Sequence, residues 1–331
     1  MISHQAVSPA FSSGASFHSV PRAKLDQSLA AWTEIVRARS ILKVAVYSAA
    51  LAALVTAIVS LDSWLPVLIC QLLLGLVYAH GLELMHESLH DSLFRFSRIN
   101  RFLGFLLGLP MLVSFTHYKY QHLHHHRYVG TDKDKELFDY KEESLRNPLR
   151  LVVRGANLSR LPSFFLTLFR MLGGTYPEIF RKMRASVRRQ LFLEYLTMAA
   201  ALTVGLAVTV SGYTNIVLMA WFVPWLVFGE LFHFLIELPE HLGRDRAQKD
   251  IFINSRSYSC NALWRYIVNG NNYHVEHHMF PRVAIHNLGA LNLQLHAEAR
   301  HTEPSYLAAV GQIFASPRER DAISRQIVEP T

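Results

Sequence analysis

Asn271-Asn272-Tyr273-His274-Val275-Glu276-His277-His278-Met279-Phe280-Pro281 packs three imidazoles into five residues. They stand at i, i+3 and i+4, a spacing that lines them up on one face of a helix. Two earlier stretches answer it, His86-Glu87-Ser88-Leu89-His90 and His122-Leu123-His124-His125-His126. In the second, His122, His125 and His126 repeat the His-x-x-His-His spacing while His124 points elsewhere. In the first, His86 and His90 are four apart and share a face. Imidazole is the commonest protein ligand for transition metals of borderline softness. Three such clusters offer more nitrogen donors than one ion accepts, so the expectation is a two-metal site.

The 331 residues around these clusters are 51% hydrophobic and only 18% charged, a balance that points to a membrane protein. The formal charge of +8 sits beside apolar runs, as in the cytoplasmic loops of membrane proteins. No basic patch interleaved with aromatics accompanies a nucleic-acid reader module, so no nucleic-acid partner is expected. The two cysteines, Cys70 and Cys260, are too few and too far apart for a disulfide framework. Residues 1–40 form a polar N-terminal tail without a signal-peptide pattern.

Four apolar runs of about 20 residues each match a hydrocarbon core of ~30 Å at 1.5 Å per residue: 41–61, 65–85, 191–210 and 216–238. The links at 62–63 and 211–215 are short and carry no Lys or Arg, which pairs the runs into two antiparallel hairpins. Residues 99–115 are also apolar but contain Gly104, Gly108 and Pro110. A crossing there would put the first two clusters on opposite faces, so a re-entrant or interfacial segment is expected. Between 127 and 190 the chain is strongly basic, with an amphipathic stretch at Leu161–Leu172 suited to a membrane surface. The fold expected is an all-α integral membrane protein: four transmembrane helices in two hairpins, with a cytosolic helical cap from 239 onward holding the histidine-rich site. The membrane domain covers 41–300, a C-terminal tail 301–331, and the termini and active site are cytoplasmic.

His86-Glu87-Ser88-Leu89-His90 also fits His-Glu-x-x-His, the zinc metalloprotease pattern with a glutamate base. That alternative leaves the other two clusters unexplained. A transporter using histidines as proton relays needs ionisable groups at mid-membrane depth, whereas these clusters lie at span ends. Isolated histidines carry no such signal: His4, His18, His296 and His301 read as surface groups, and His80, His117, His233 and His286 stay ambiguous.

The order His-x-x-x-His, His-x-x-His-His, His-x-x-His-His interleaved with two hairpins resembles the membrane fatty acid desaturase and hydroxylase superfamily. Asn100-Arg101-Phe102-Leu103-Gly104, Thr131-Asp132-Lys133-Asp134 and His278-Met279-Phe280-Pro281 resemble the family's flanking sequences. The resemblance implies two iron ions and dioxygen as cosubstrate, with His86, His90, His122, His125, His126, His274, His277 and His278 as ligands. The family's ninth histidine falls on His241 in Glu237-Leu238-Pro239-Glu240-His241. Some members have an asparagine four residues earlier that reaches the metal through water; Glu237 stands there, leaving open whether it or His233 ligates metal. Asp132, Asp134, Glu87 and Glu276 are candidates to orient the rings by accepting their far N–H.

The substrate implied is a lipid or an acyl chain, with Phe94, Phe96, Trp221 and Trp225 as candidates to line its path. Electrons are expected from a separate carrier of ferredoxin, rubredoxin or cytochrome b5 type with its reductase, since no haem or flavin motif is fused. The reading is a bacterial-type enzyme of the inner membrane that desaturates an acyl-lipid or acyl-thioester. The alternative on the same fold is a hydroxylase or ketolase of lipid or carotenoid.

Overall fold

A computed structural model describes residues 31–134, 147–245, 248–295 and 302–315. Most of the N-terminal tail, the loop at 135–146, and His4, His18, His296 and His301 lie outside the described residues. The chain forms two compact units, each taken here by itself. The span unit comprises Ile35–His124 and Lys135–Leu238; the histidine-rich unit comprises Met1–Glu34, His125–Asp134 and Pro239–Thr331.

Four helices in or leading out of the span unit are long and apolar enough to cross a membrane: α1 (Arg37–Ser60), α2 (Trp64–Leu89), α6 (Ala185–Tyr213) and α7 (Leu218–His241). Each begins or ends several residues beyond the apolar run that marks it, because helical hydrogen bonding continues into the polar flank. That extension places His86 in the last turn of α2. Leu61-Asp62-Ser63 joins α1 to α2, both flanking positions being extended. At the end of α6, Gly212 takes φ 92°, a conformation open to glycine at no steric cost. The chain then reverses through Thr214–Val217 into α7.

Residues 97–128 make a bent pair, α3 (Ser97–Met111) and α4 (Phe115–Tyr128), turned by 99°. Buried Leu112 sits at the corner in the left-handed region at φ 50°. The amphipathic stretch forms α5 (Arg160–Leu172). Its Phe164, Leu168 and Met171 turn into the core, and Phe165, Phe169 and Leu172 stay exposed.

The core of the span unit joins Leu74, Tyr78, Leu82 and Met85 of α2 to Met111, Met198 and Trp225. Gly75 lets α2 approach the π-wound turn Pro224–Gly229 of α7: a Cβ there would meet the Pro224 carbonyl at 2.8 Å. Only 11% of the α1 span is buried, and Leu65, Ile69, Val204 and Leu206 are exposed on neighbouring spans. An apolar outer surface of that extent is what hydrocarbon contacts.

Two buried carboxylates inside this unit are each met by several donors. Glu194 of α6 accepts Ser114 Oγ at 2.6 Å and both the amide and hydroxyl of Thr116 at 2.8 and 2.6 Å, which ties down the α3–α4 corner. Glu230 accepts Arg160 Nε at 2.8 Å and Nη2 at 3.1 Å, with Trp225 Nε1 and Asn157 Nδ2 each at 2.9 Å. Trp225 is therefore fully buried and committed to Glu230, and Trp221 donates to the Pro110 carbonyl at 2.8 Å. Phe96 is largely exposed. Cys70 and Cys260 are both free thiols.

The histidine-rich unit is built of short elements: β1 (Ser257–Tyr258), α8 (His274–Met279), α9 (Leu288–Leu295), β2 (Thr302–Glu303) and α10 (Tyr306–Ile313). β1 and β2 pair in parallel. Residues 302–315, placed in a C-terminal tail by composition, are thus part of the packed unit. Trp32 docks in the same way: its carbonyl accepts the amide of Ala284, and its ring packs with Phe280, Ile285 and Leu288.

Replacing Glu230 with Ala strands the Arg160 guanidinium, and the expected loss is about 3–5 kcal/mol of stability. Denaturant titration in detergent checks this. The double variant Arg160→Met/Glu230→Leu is expected to recover most of the loss, because it leaves no buried charge.

Candidate metal centre

The histidine-rich unit brings together His125 from the end of α4, His241 from the end of α7, and His274 and His278 from one face of α8. All four are buried. Their Nε2 atoms stand 3.1 Å apart for His125–His241, 3.3 Å for His125–His278, 3.2 Å for His241–His278, 2.9 Å for His241–His274 and 3.0 Å for His274–His278.

The opposite edge of three rings is held by acceptors. His125 Nδ1 lies 3.0 and 3.1 Å from the two Asp134 oxygens. His241 Nδ1 lies 3.0 Å from the Asn254 carbonyl. His274 Nδ1 lies 3.2 Å from Asn271 Oδ1, whose amide in turn donates to Glu240. A carboxylate and a carbonyl only accept, so these Nδ1 atoms carry the hydrogens and the neutral rings turn bare Nε2 lone pairs toward one another. His278 Nδ1 has no hydrogen-bond partner among the described residues. Burial, reinforced by His126, His274, His241 and His125, holds His278 well below the usual histidine range, so it too is neutral at pH 7.

Three Nε2 lone pairs, those of His125, His241 and His274, thus converge with the His278 ring, and a cation at their centre removes their mutual repulsion. Ligands ~2.1 Å from an ion and cis in a six-coordinate set are about 3 Å apart, whereas tetrahedral ligands at that radius are about 3.4 Å apart. The observed separations, 2.9–3.3 Å, run from the first value almost to the second. The donor set therefore fits a transition metal ion held through imidazole nitrogens.

The remaining box histidines fall into two further groups. In the span unit, His86 Nε2 meets His122 Nε2 at 2.8 Å, and the His90 ring lies 5.2 Å from that of His86 and 5.0 Å from that of His122. Burial, then the charges on His86 and Lys119, lower the His90 pKa well below its usual value. In the histidine-rich unit, His126 Nε2 meets His277 Nε2 at 3.1 Å. The second and third boxes are thus each split. On α4, His125 and His126 are neighbours in sequence and so point about 100° apart around the helix.

Asp134 reaches an imidazole, whereas Asp132 is exposed. Glu87 holds Lys43 at 2.8 Å. Glu276 accepts Ser257 Oγ at 2.6 Å and Asn292 Nδ2 at 2.8 Å, which fixes α8 in its unit. Glu237 pairs with His233 at 3.1 Å, and both cluster with Glu83 inside the span unit. His117 bonds Tyr195 at 2.8 Å. Three supports escaped the sequence reading. Asn271 and Glu240 stand directly beside the motifs, so their adjacency to histidines was a usable signal. Asn254 acts through its backbone carbonyl, which no side-chain pattern reveals.

The pattern that defines the family described as fatty acid desaturase matches residues 62–309. A dihydrorhizobitoxine desaturase of Bradyrhizobium elkanii is 25% identical over 292 residues, covering 81% of this chain and 78% of that protein. A sphingolipid delta(4)-desaturase of Drosophila melanogaster is 40% identical over 77 residues, covering 21% of this chain and 23% of that protein.

Asp134→Asn is expected to weaken divalent-metal binding roughly 10- to 100-fold, the usual cost of losing a carboxylate behind a ligating histidine. Cobalt(II) titration against a competing chelator measures it. Asp132→Asn is expected to leave the affinity unchanged.

Proposed function

We propose that this chain, which belongs to the fatty acid desaturase family, uses dioxygen and two iron ions to place a carbon–carbon double bond in an acyl chain. The observation that carries the reading is the buried four-histidine cluster, whose Nε2 atoms converge within 2.9–3.3 Å of one another at a spacing suited to a shared cation. One ion takes His125, His241, His274 and His278. The family resemblance implies a second ion held by the remaining box histidines. Bound iron supplies the oxygen activation and one-electron steps that side chains lack.

The protein's own part is to bind and orient. Asp134, the Asn254 carbonyl and Asn271 keep the Nδ1 hydrogens turned outward, so the rings present unprotonated Nε2. Burial of every ring in the cluster excludes bulk water from it. Glu240, at 3.5 Å from His274 Nε2, keeps negative charge beside a centre made only of neutral ligands. Glu237 sits with His233 and Glu83, a group whose ligand-type atoms lie close enough together to hold a cation of its own.

Desaturation removes two protons and two electrons from the substrate, and reduction of dioxygen to two waters needs two further electrons and two protons. The ferredoxin, rubredoxin or cytochrome b5 type of carrier, with its reductase, delivers those electrons. The substrate is an acyl-lipid or acyl-thioester reached from the apolar bundle, and the relatives from Bradyrhizobium elkanii and Drosophila melanogaster both carry desaturase names. The enzyme sits in a bacterial inner membrane with termini and centre on the cytoplasmic side, in keeping with interspan links that lack Lys and Arg. The desaturase-like domain takes in residues 41–300, extended by Trp32 on one side and residues 302–315 on the other. A zinc protease reading is disfavoured by the Lys43–Glu87 pair, which occupies the carboxylate that reading needs as a base.

Expression with candidate lipids followed by mass spectrometry tests the reaction. A product lighter by two hydrogens is the expected result; one heavier by an oxygen atom would move the assignment to hydroxylase or ketolase. Purified protein is expected to hold about two irons per chain, and His277→Ala to form no detectable product.

A further inference from the structure

Away from the histidines, the histidine-rich unit buries two arginines with too little to hold. Arg256 is 1% exposed and the side chain of Arg244 3%. Arg256 commits its terminal nitrogens to the carbonyls of Pro239 and Leu242. Its Nε, and both Nε and Nη2 of Arg244, have no hydrogen-bond partner among the described residues. The nearest carboxylate oxygen to Arg244 in an ion pair is Glu303 Oε1, 4.0 Å from Nη2 and outside hydrogen-bonding reach. Glu303 is anchored by its own backbone, since it lies in β2 and its carbonyl accepts the amide of Ser259.

Two buried guanidinium groups thus face one loosely placed carboxylate. Burial, and then the charge of Arg244, push Arg256 down to about 9, and burial lowers Arg244 as well. A buried charge with open donors is the costly arrangement that proteins complete with a partner. The span unit shows what completes it. There Arg160 uses the same edge, Nε and Nη2, to hold the two oxygens of Glu230 at 2.8 and 3.1 Å. The planar fork of a guanidinium suits carboxylate and phosphate oxygens equally.

We propose that Arg244 and Arg256 form a binding site for a small oxyanion of the carboxylate or phosphate class, separate from the histidine centre. Three buried, unpartnered N–H groups, Nε and Nη2 of Arg244 and Nε of Arg256, are the donors to its oxygens once the surrounding side chains give way, and its negative charge balances the excess that Glu303 leaves. The site is joined to the centre through the chain. Arg256 braces Pro239 and Leu242 on either side of His241, and it follows Asn254-Ser255, where the Asn254 carbonyl holds the His241 ring. Occupancy therefore stiffens the segment that orients one metal ligand. The anion arrives free in solution or as the acidic group of an acyl compound.

The test is thermal unfolding of the full purified chain in detergent, titrated with inorganic phosphate or acetate against sodium chloride at matched ionic strength. A ligand that binds only the folded state raises the melting temperature saturably. That rise is expected for the wild type and lost in Arg244→Gln. Glu303→Gln, which removes the competing carboxylate, is expected to lower the half-saturating concentration several-fold. Octanoate acting at far lower concentration than acetate identifies an acyl-borne anion, and equal potency a free one. The proposal is overturned by a wild-type chain that shows no saturable rise, or by the same rise in Arg244→Gln. It is equally overturned if Glu303→Gln destabilises the chain without changing half-saturation, since Glu303 would then be the true partner of Arg244.

Discussion

Imidazole nitrogens without a hydrogen to share do not remain within 3.3 Å of one another unless something positive lies between them. His125, His241, His274 and His278 are held in that arrangement, and much of the histidine-rich unit can be read as the means of holding it. The outward Nδ1 hydrogens of three rings are assigned to Asp134, Asn254 and Asn271. Glu276 ties the helix bearing two of the rings to Ser257 and Asn292. Each of these acceptors lies on a different loop or helix, so the ring orientations are only as good as the packing that brings those segments together.

The span unit solves a different problem, the keeping of polar groups inside a bundle whose outer surface is hydrocarbon. Glu194 and Glu230 are each satisfied by three or more donors. These contacts connect α5, α6, α7 and the bent α3–α4 pair, where an apolar interface would leave register loosely defined. Glu83, His233 and Glu237 differ in being close together on the helices that carry box histidines: Glu83 is three residues before His86, and Glu237 four before His241. Ionisable groups at such depth are costly and mark function by default.

Family membership and chemistry of the centre are separable from choice of substrate. The donor set is decided by histidines at fixed helical spacings and by the acceptors behind them. Nothing in that set touches the carbon chain to be oxidised. Two tryptophans illustrate this: partly buried Trp221 and fully buried Trp225 were candidates for a substrate wall, yet their indole N–H groups are engaged with Pro110 and Glu230. Their first duty is to the bundle.

Period and composition were enough to locate four spans, two hairpins and the histidine boxes, because helical spacing and hydrocarbon thickness act along the chain and leave their mark in it. The kinked 97–128 segment was visible through Gly104, Gly108 and Pro110, though the corner itself fell on Leu112, a residue with no turn signature. How the histidines divide was not visible. His125 and His126 are adjacent in sequence yet join different partners, and His274 and His278 part from His277. The direction of each ring depends on helix phase and on segments more than 100 residues away. The same limit hid the Asn254 carbonyl and the open edge of Arg244. Contacts made by backbone atoms, and donors left without acceptors, exist only once distant parts of the chain have packed.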